Sequence, residues 1–273
     1  MPGRQEGVRV TLPRMNELSV DRKDDGVVLI TLNRPDMRNA MTDTMTAEWR
    51  ETMTALATDR DARCVVVTGA GTAFSSGGDL SWIGERGTET VPRLRERMLA
   101  FYRTWLMIAE LEMPTIAAVN GPAVGAGLCV ALACDLVYAA DDAKLLAPFT
   151  SLGLHPGMAA TYLLPRRAPG LAREMLLVGR TVSGREAAEK GLVNQSFPKN
   201  DLMSEASGIA SKIAQNAPIA TRLTKVALNQ DHQDLEAALR WESLAQPVTM
   251  ASPDMIEGLT AHRERRMPKF TGS

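Results

Sequence analysis

Four short runs of the chain, Val27–Leu32, 64–68, Thr115–Val119 and 136–139, are apolar or β-branched at nearly every position rather than at every second one. A strand with one face in water alternates polar and apolar residues, whereas a strand that is apolar throughout must be covered on both faces. Helices laid over both sides of a largely parallel sheet meet that demand. The segments between the runs fit it. Asn33-Arg34-Pro35-Asp36 closes the first run, and a helix follows with Thr42 or Asp43 as its cap and Met45, Trp49, Met53 and Leu56 at helical spacing through Ala57. The second run enters a loop over 69–79 that holds four glycines, and a helix over 91–110, with Pro92 in its first turn, ends before Pro114. The third leads through Asn120-Gly121-Pro122-Ala123-Val124-Gly125-Ala126-Gly127 into an apolar helix reaching Ala133. The fold class expected is α/β.

From Leu171 onward the pattern reads as helices only. Ser183-Gly184-Arg185-Glu186 is a capping box, and Lys190-Gly191 supplies its helix with a stop. Further helices are expected over 201–215, 218–230 and 234–245, with Ser252-Pro253 opening a last one to Arg266. Residues 1–15, rich in Pro, Gly and charge, read as a flexible arm, 16–200 as the α/β core and 201–273 as a helical layer packed on that core or on a neighbouring subunit.

A chain of 273 residues buries an adequate core without disulfides or a structural metal. Cys64, Cys129 and Cys134 agree: they are odd in number, sit in or beside apolar segments and lack ligand spacing, which argues against a disulfide framework or a zinc site. With 31 Lys and Arg against 32 Asp and Glu, the formal net charge of −1 offers no general attraction to nucleic acid or to an anionic membrane. The N-terminus has no signal-like apolar region and no later run is long enough to span a bilayer, so a cytoplasmic protein is expected.

Two junctions, around Ser76-Gly77-Gly78-Asp79 and around Gly125-Ala126-Gly127, place small residues where main-chain N–H groups are left exposed at a helix start. Such amides lack carbonyl partners and attract negative charge. Two of them aimed at one carbonyl oxygen form an oxyanion hole, each donor supplying about 3 kcal/mol to a transition state. Neither loop has the spacing of a dinucleotide or P-loop motif.

These segments also carry a resemblance. Asn33-Arg34-Pro35 with Arg38-Asn39-Ala40-Met41, Phe74-Ser75-Ser76-Gly77-Gly78-Asp79-Leu80, Ile116-Ala117-Ala118-Val119-Asn120-Gly121, Ala133-Cys134-Asp135-Leu136, Leu152-Gly153-Leu154 with Pro156-Gly157, and Gly191-Leu192-Val193-Asn194 occur in one order. Together with Arg263-Glu264-Arg265-Arg266, Pro268 and Phe270, the chain resembles the enoyl-CoA hydratase/isomerase (crotonase) family from Leu18 to Phe270. The resemblance implies the ClpP/crotonase-like spiral of ββα units with a C-terminal helical trimerisation region. It implies an acyl-CoA thioester as substrate, no cofactor beyond that CoA, and assembly as a trimer or dimer of trimers. It makes the Gly78 and Ala126 amides the oxyanion donors. The CoA nucleotide would run along Met37, Arg38, Asn39 and Ala40, with Ser76, Gly77, Asp79, Cys129 and Phe149 as further substrate contacts and Arg265 meeting a phosphate, in the same or a neighbouring subunit.

The chain departs from the family where protons are moved. Family hydratases use two glutamates to deliver water; the first position is Cys129 here, and the second, in a Gln-Pro-Glu-like triplet, is Phe149 of Ala147-Pro148-Phe149. The isomerase carboxylate that follows the next proline is replaced by Gly157. Substitute bases are sought in His155, a residue type that ordinarily titrates near neutrality, and in Asp79 and Glu85. Phe74, Trp82, Met98, Leu99, Phe149 and Met158 are candidates for an apolar acyl pocket. The activity expected is enoyl-CoA hydration with unorthodox acid/base groups; a double-bond isomerase and a non-catalytic acyl-CoA-binding protein remain as alternatives.

Overall fold

The computed structural model describes residues 15–79, 90–230 and 234–273. The arm expected over 1–15 lies, apart from Met15, outside the described residues, as do Trp82 and Glu85. In chain order the strands are Leu18–Arg22 (β1), Val27–Leu32 (β2), Cys64–Gly69 (β3), Thr115–Val119 (β4), Ala123–Val124 (β5), Leu136–Ala140 (β6), Lys144–Leu146 (β7), Val182–Ser183 (β8) and Gln195–Phe197 (β9). A six-stranded sheet runs β1-β2-β3-β4-β6-β9, parallel except for the β1–β2 pair, and a small sheet runs β5-β7-β8.

The continuously apolar runs are the central strands, and every residue of β3 and β4 is buried. The helix Leu202–Ala214 packs on β3 and β4 through Leu202, Ala206 and Ala210, while Ala126–Ala133, buried along its whole length, packs on β4 and β6. Two tryptophans join the next layer. Trp49 of the helix Asp43–Ala57 and Trp105 of the helix Val91–Leu106 stack with ring centroids 4.8 Å apart, and Trp105 Nε1 donates to Thr46 Oγ1 at 3.0 Å. Both rings are fully buried, so the second helix is held at a fixed position over the first. Thr42, not Asp43, caps Asp43–Ala57, its hydroxyl accepting from Met45 N at 3.1 Å.

Several expectations are revised. The region after Leu171 is not helical only, because β8 and β9 add edge strands of two and three residues, too short to show a period of two. The 91–110 helix is α-helical to Leu106 and then tightens into a 3-10 turn over Met107–Glu110. The capping box is half formed: Ser183 Oγ accepts from Glu186 N, but the Glu186 carboxylate pairs with Arg180. The last long helices run Pro218–Asn229, Leu235–Met250 and Pro253–Glu264. The first is anchored to the sheet by Lys225, whose Nζ donates to Asp135 Oδ2 at 2.8 Å and to Met113 O at 3.0 Å. Asp135, in turn, accepts from Thr115 N and Oγ1, so it is a structural carboxylate. Among the described residues no helix is long and apolar enough to cross a membrane.

Candidate active site

The two glycine-rich junctions come together through main-chain pairing. Val124 N donates to Ser75 O at 2.9 Å, laying the second junction along the first, and Gly125 N donates to Leu146 O at 2.9 Å, tying the second junction to β7. Met41 N donates to Gly77 O at 2.9 Å, so the first junction is also tied to the segment before the Asp43–Ala57 helix. Gly77 has φ +88°, and a Cβ there would lie 2.7 Å from Val124 O and 3.4 Å from Ala126 N. Only glycine satisfies both the backbone sign and the close approach. Gly125, at φ 52° and ψ −113°, turns the chain into the Ala126–Ala133 helix. The amides of Gly78 and Ala126 are left without an acceptor among the described residues.

Asn39 organises the first junction. It is fully buried at φ 55°, a conformation asparagine tolerates better than most residues. Its Nδ2 donates to Ala73 O at 2.8 Å, Ala70 O at 3.0 Å and Phe74 O at 3.2 Å, and its Oδ1 accepts from Arg34 N at 2.8 Å. Ser75 Oγ donates to Asn39 O at 2.8 Å and accepts from Gly77 N at 3.1 Å. The turn that aims the Gly78 amide is therefore determined by buried polar contacts.

Both amides open into one cavity of about 810 Å³. Of the residues expected to hold substrate, Met37, Ala40, Ser76, Gly77, Asp79 and Phe149 line it, and so does His155. The Phe149 ring stands over the second junction, 3.7 Å from where a Cβ of Gly125 would be. His155 is exposed, with Nδ1 2.8 Å from Pro156 O. Met98 and Met158 also line the wall.

Other expected residues are not brought to it. Cys129 is a fully buried residue of the Ala126–Ala133 helix and burial pushes its thiol up to about 12, so it is neither a contact nor a base. Arg38 sits at φ 50° with its side chain exposed and off the wall; its carbonyl, accepting from Ser76 N at 2.9 Å, is what serves the site. Arg265, at φ 53°, closes the Pro253–Glu264 helix with its N–H and does not reach this cavity within one chain. Phe74 is core, and Leu99 faces solvent.

The Val91–Leu106 helix supplies a wall that motif reading missed except for Met98: Leu94, Arg97, Phe101 and Tyr102 face the cavity. Leu94, Met98, Phe101 and Trp105 repeat at helical spacing, a stripe legible in the sequence but indistinguishable there from ordinary core. Chemically, the cavity is a largely apolar chamber lined by Gly78 and Ala126, whose main-chain donors have no acceptor among the described residues, and hydrogen-bond donors in such a setting act far more strongly than in water.

Comparison with known proteins gives a consistent outcome. A family model described as enoyl-CoA hydratase/isomerase matches residues 22–273. The chain is 36% identical over 265 residues to the 2,3-dehydroadipyl-CoA hydratase of Escherichia coli, covering 94% of this chain and 100% of that one. It is equally 36% identical, over 262 residues, to the 1,2-epoxyphenylacetyl-CoA isomerase of the same organism, with coverage of 94% and 100%. The crystal structure of an enoyl-CoA hydratase from Bacillus anthracis superposes with a TM-score of 0.89 at 37% identity, covering 94% of this chain and 100% of that one. A hydratase and an isomerase at the same identity leave the reaction to be argued from the site.

Proposed function

The chain belongs to the enoyl-CoA hydratase/isomerase family, a crotonase-fold enzyme family acting on CoA thioesters, and from that premise we propose that it holds an acyl-CoA with its thioester oxygen between the Gly78 and Ala126 amides and adds water to a 2-enoyl chain without the usual glutamate pair. The observation that carries this reading is the pair of amides without acceptors among the described residues, both at residues that line one largely apolar cavity. Negative charge that moves onto the thioester oxygen when a nucleophile attacks C3 is met by donors already in place, which lowers the barrier without reorganisation.

A second reading, a 3-enoyl to 2-enoyl double-bond shift, is favoured by the position of Asp79 and His155 on the cavity wall. A shift requires one group to take and return a proton, whereas the glutamate mechanism divides hydration between two. Incubation with crotonyl-CoA and with a 3-enoyl-CoA, following the absorbance of the conjugated thioester, separates the two: the first loses absorbance under hydration, and the second gains it under isomerisation. Binding by calorimetry with no turnover of either makes the protein an acyl-CoA-binding module. No binding overturns the proposal.

The family partner expected beyond substrate is a second copy of the chain, as a trimer or dimer of trimers. Its support is the Leu235–Met250 helix, none of whose residues is buried, with Leu235, Leu239, Leu244 and Val248 turned outward. Light scattering at the monomer mass would refute it.

A further inference from the structure

The cavity has apolar walls and an electrophilic end, but the positions expected to move protons, Cys129, Phe149 and Gly157, hold no group able to do so. What stands there is Tyr102. A Cβ placed on Gly157 would lie 2.4 Å from Tyr102 Oη and 2.9 Å from its Cζ, so the hydroxyl fills the space that a side chain at position 157 would need. Cys129 Sγ lies 4.0 Å from Gly157 O and is close enough to Tyr102 to influence its ionisation. The phenol therefore occupies the space in front of position 157, whose carbonyl Cys129 Sγ approaches from the core. Its helix is fixed through the buried Trp49–Trp105 stack one turn further on, its ring meets Phe101 edge-on at 6.3 Å, and its hydroxyl makes no hydrogen bond among the described residues. It lines the same cavity as Gly78 and Ala126.

Resting on the hydration reading above, we propose that Tyr102 is the acid/base residue of this site, a single phenol that passes one proton from the attacking water to C2 of the acyl chain. Burial holds the hydroxyl above its ordinary value, with the nearby Cys129 as a lesser contributor, so at working pH the group is a neutral phenol. A neutral phenol is suited to a relay, because it gives a proton as it receives one and need not ionise first. The step balances. The water oxygen forms the C3–O bond, the C2–C3 π pair becomes the C1–C2 π bond, and the carbonyl pair moves onto the thioester oxygen between the two amides. The phenol O–H breaks as its proton goes to C2 and the carbonyl re-forms. The surplus proton on the added water passes to the phenol oxygen, so one water is consumed and Tyr102 is restored. Gly157 is then a positioning residue: its missing side chain is what admits the hydroxyl.

Tyr102→Phe removes only the oxygen and keeps the ring in its packing. With crotonyl-CoA, kcat is expected to fall at least about 100-fold, the scale of lost general acid/base catalysis, while acyl-CoA affinity by calorimetry stays unchanged. Gly157→Ala should lower kcat in the same direction, since the added methyl displaces the hydroxyl. The wild-type kcat should stay flat from about pH 6 to 9 and fall only as a phenol of raised pKa ionises, whereas a carboxylate or imidazole would produce an acid limb. In D2O the wild type should place deuterium on one face of C2, and the residual turnover of Tyr102→Phe should lose that preference. Wild-type turnover that survives Tyr102→Phe within threefold overturns the role of Tyr102 and leaves the hydration reading standing. A wild-type protein that binds acyl-CoA but does not hydrate crotonyl-CoA overturns both.

Discussion

Replacing Ala126 by proline deletes one of the two main-chain donors without altering any polar side chain. The backbone accepts the ring. Residue 126 opens the Ala126–Ala133 helix, where proline's fixed φ is suitable and no helical hydrogen bond is lost. The residue before a proline is pushed toward extended ψ, and Gly125 at ψ −113° has the mirror image of that conformation, equivalent for a residue without a Cβ. The new Cδ points along the former N–H direction into the cavity of about 810 Å³, not into packed core. Stability should therefore change by no more than about 1 kcal/mol, or roughly 2–4 °C in Tm for a chain of this size. Loss of one oxyanion donor costs about 100- to 1000-fold in kcat. In the proposed binding pose Cδ also fills the space of the thioester oxygen, so the upper end of that range is expected. The assay is the decay of the conjugated-thioester absorbance of crotonyl-CoA, with Tm and circular dichroism measured on the same preparation. A folded Ala126→Pro protein retaining kcat/KM within about tenfold of the parent is incompatible with a donor role for this amide.

Two further outcomes follow from the same geometry. Asn39→Ala leaves the buried carbonyls of Ala73 and Phe74 and the part-buried main-chain groups of Arg34 and Ala70 short of a partner; a loss of about 3 kcal/mol is expected, read as a fall of about 6–12 °C in Tm, and an unchanged Tm would refute the pinning role. All three thiols, Cys64, Cys129 and Cys134, are buried, and burial pushes each up to about 12, so a disulfide reagent at pH 8 should label none in the native protein and all three after unfolding. Rapid native labelling of Cys129 would place it on an open surface after all.

How much of this was visible in the sequence depended on whether a residue's role is carried by pattern or by contact. The runs that became β2, β3, β4 and β6 were legible because burial on both faces forces an unbroken apolar composition. β5 and β7 to β9, at two or three residues each, exist through their partners and leave no period to detect. In the site, Gly77 and Gly125 announced themselves because positive φ leaves few alternatives. Within Met37-Arg38-Asn39-Ala40, however, no local rule said that Asn39 would face inward to pin three carbonyls while Arg38 faced solvent. Tyr102 was invisible for the opposite reason: an aromatic residue on an amphipathic helix is core until a neighbouring element, here the turn at Gly157, leaves a hole in front of it.

The Gly77 slot has one more consequence. Because the donors of Gly78 and Ala126 are peptide N–H groups, almost every change of residue at those two positions keeps them; what they depend on is the turn that aims them. On the proposed assignment, the carbonyl-binding half of the site is thus encoded at a distance, in Gly77, Asn39 and Ser75, while the proton-handling half is encoded in the side chains themselves. The two halves can be varied separately. A chain on this scaffold can exchange its acid/base groups without dismantling its grip on the carbonyl, which makes the cavity a natural starting point for installing a different proton chemistry in the laboratory.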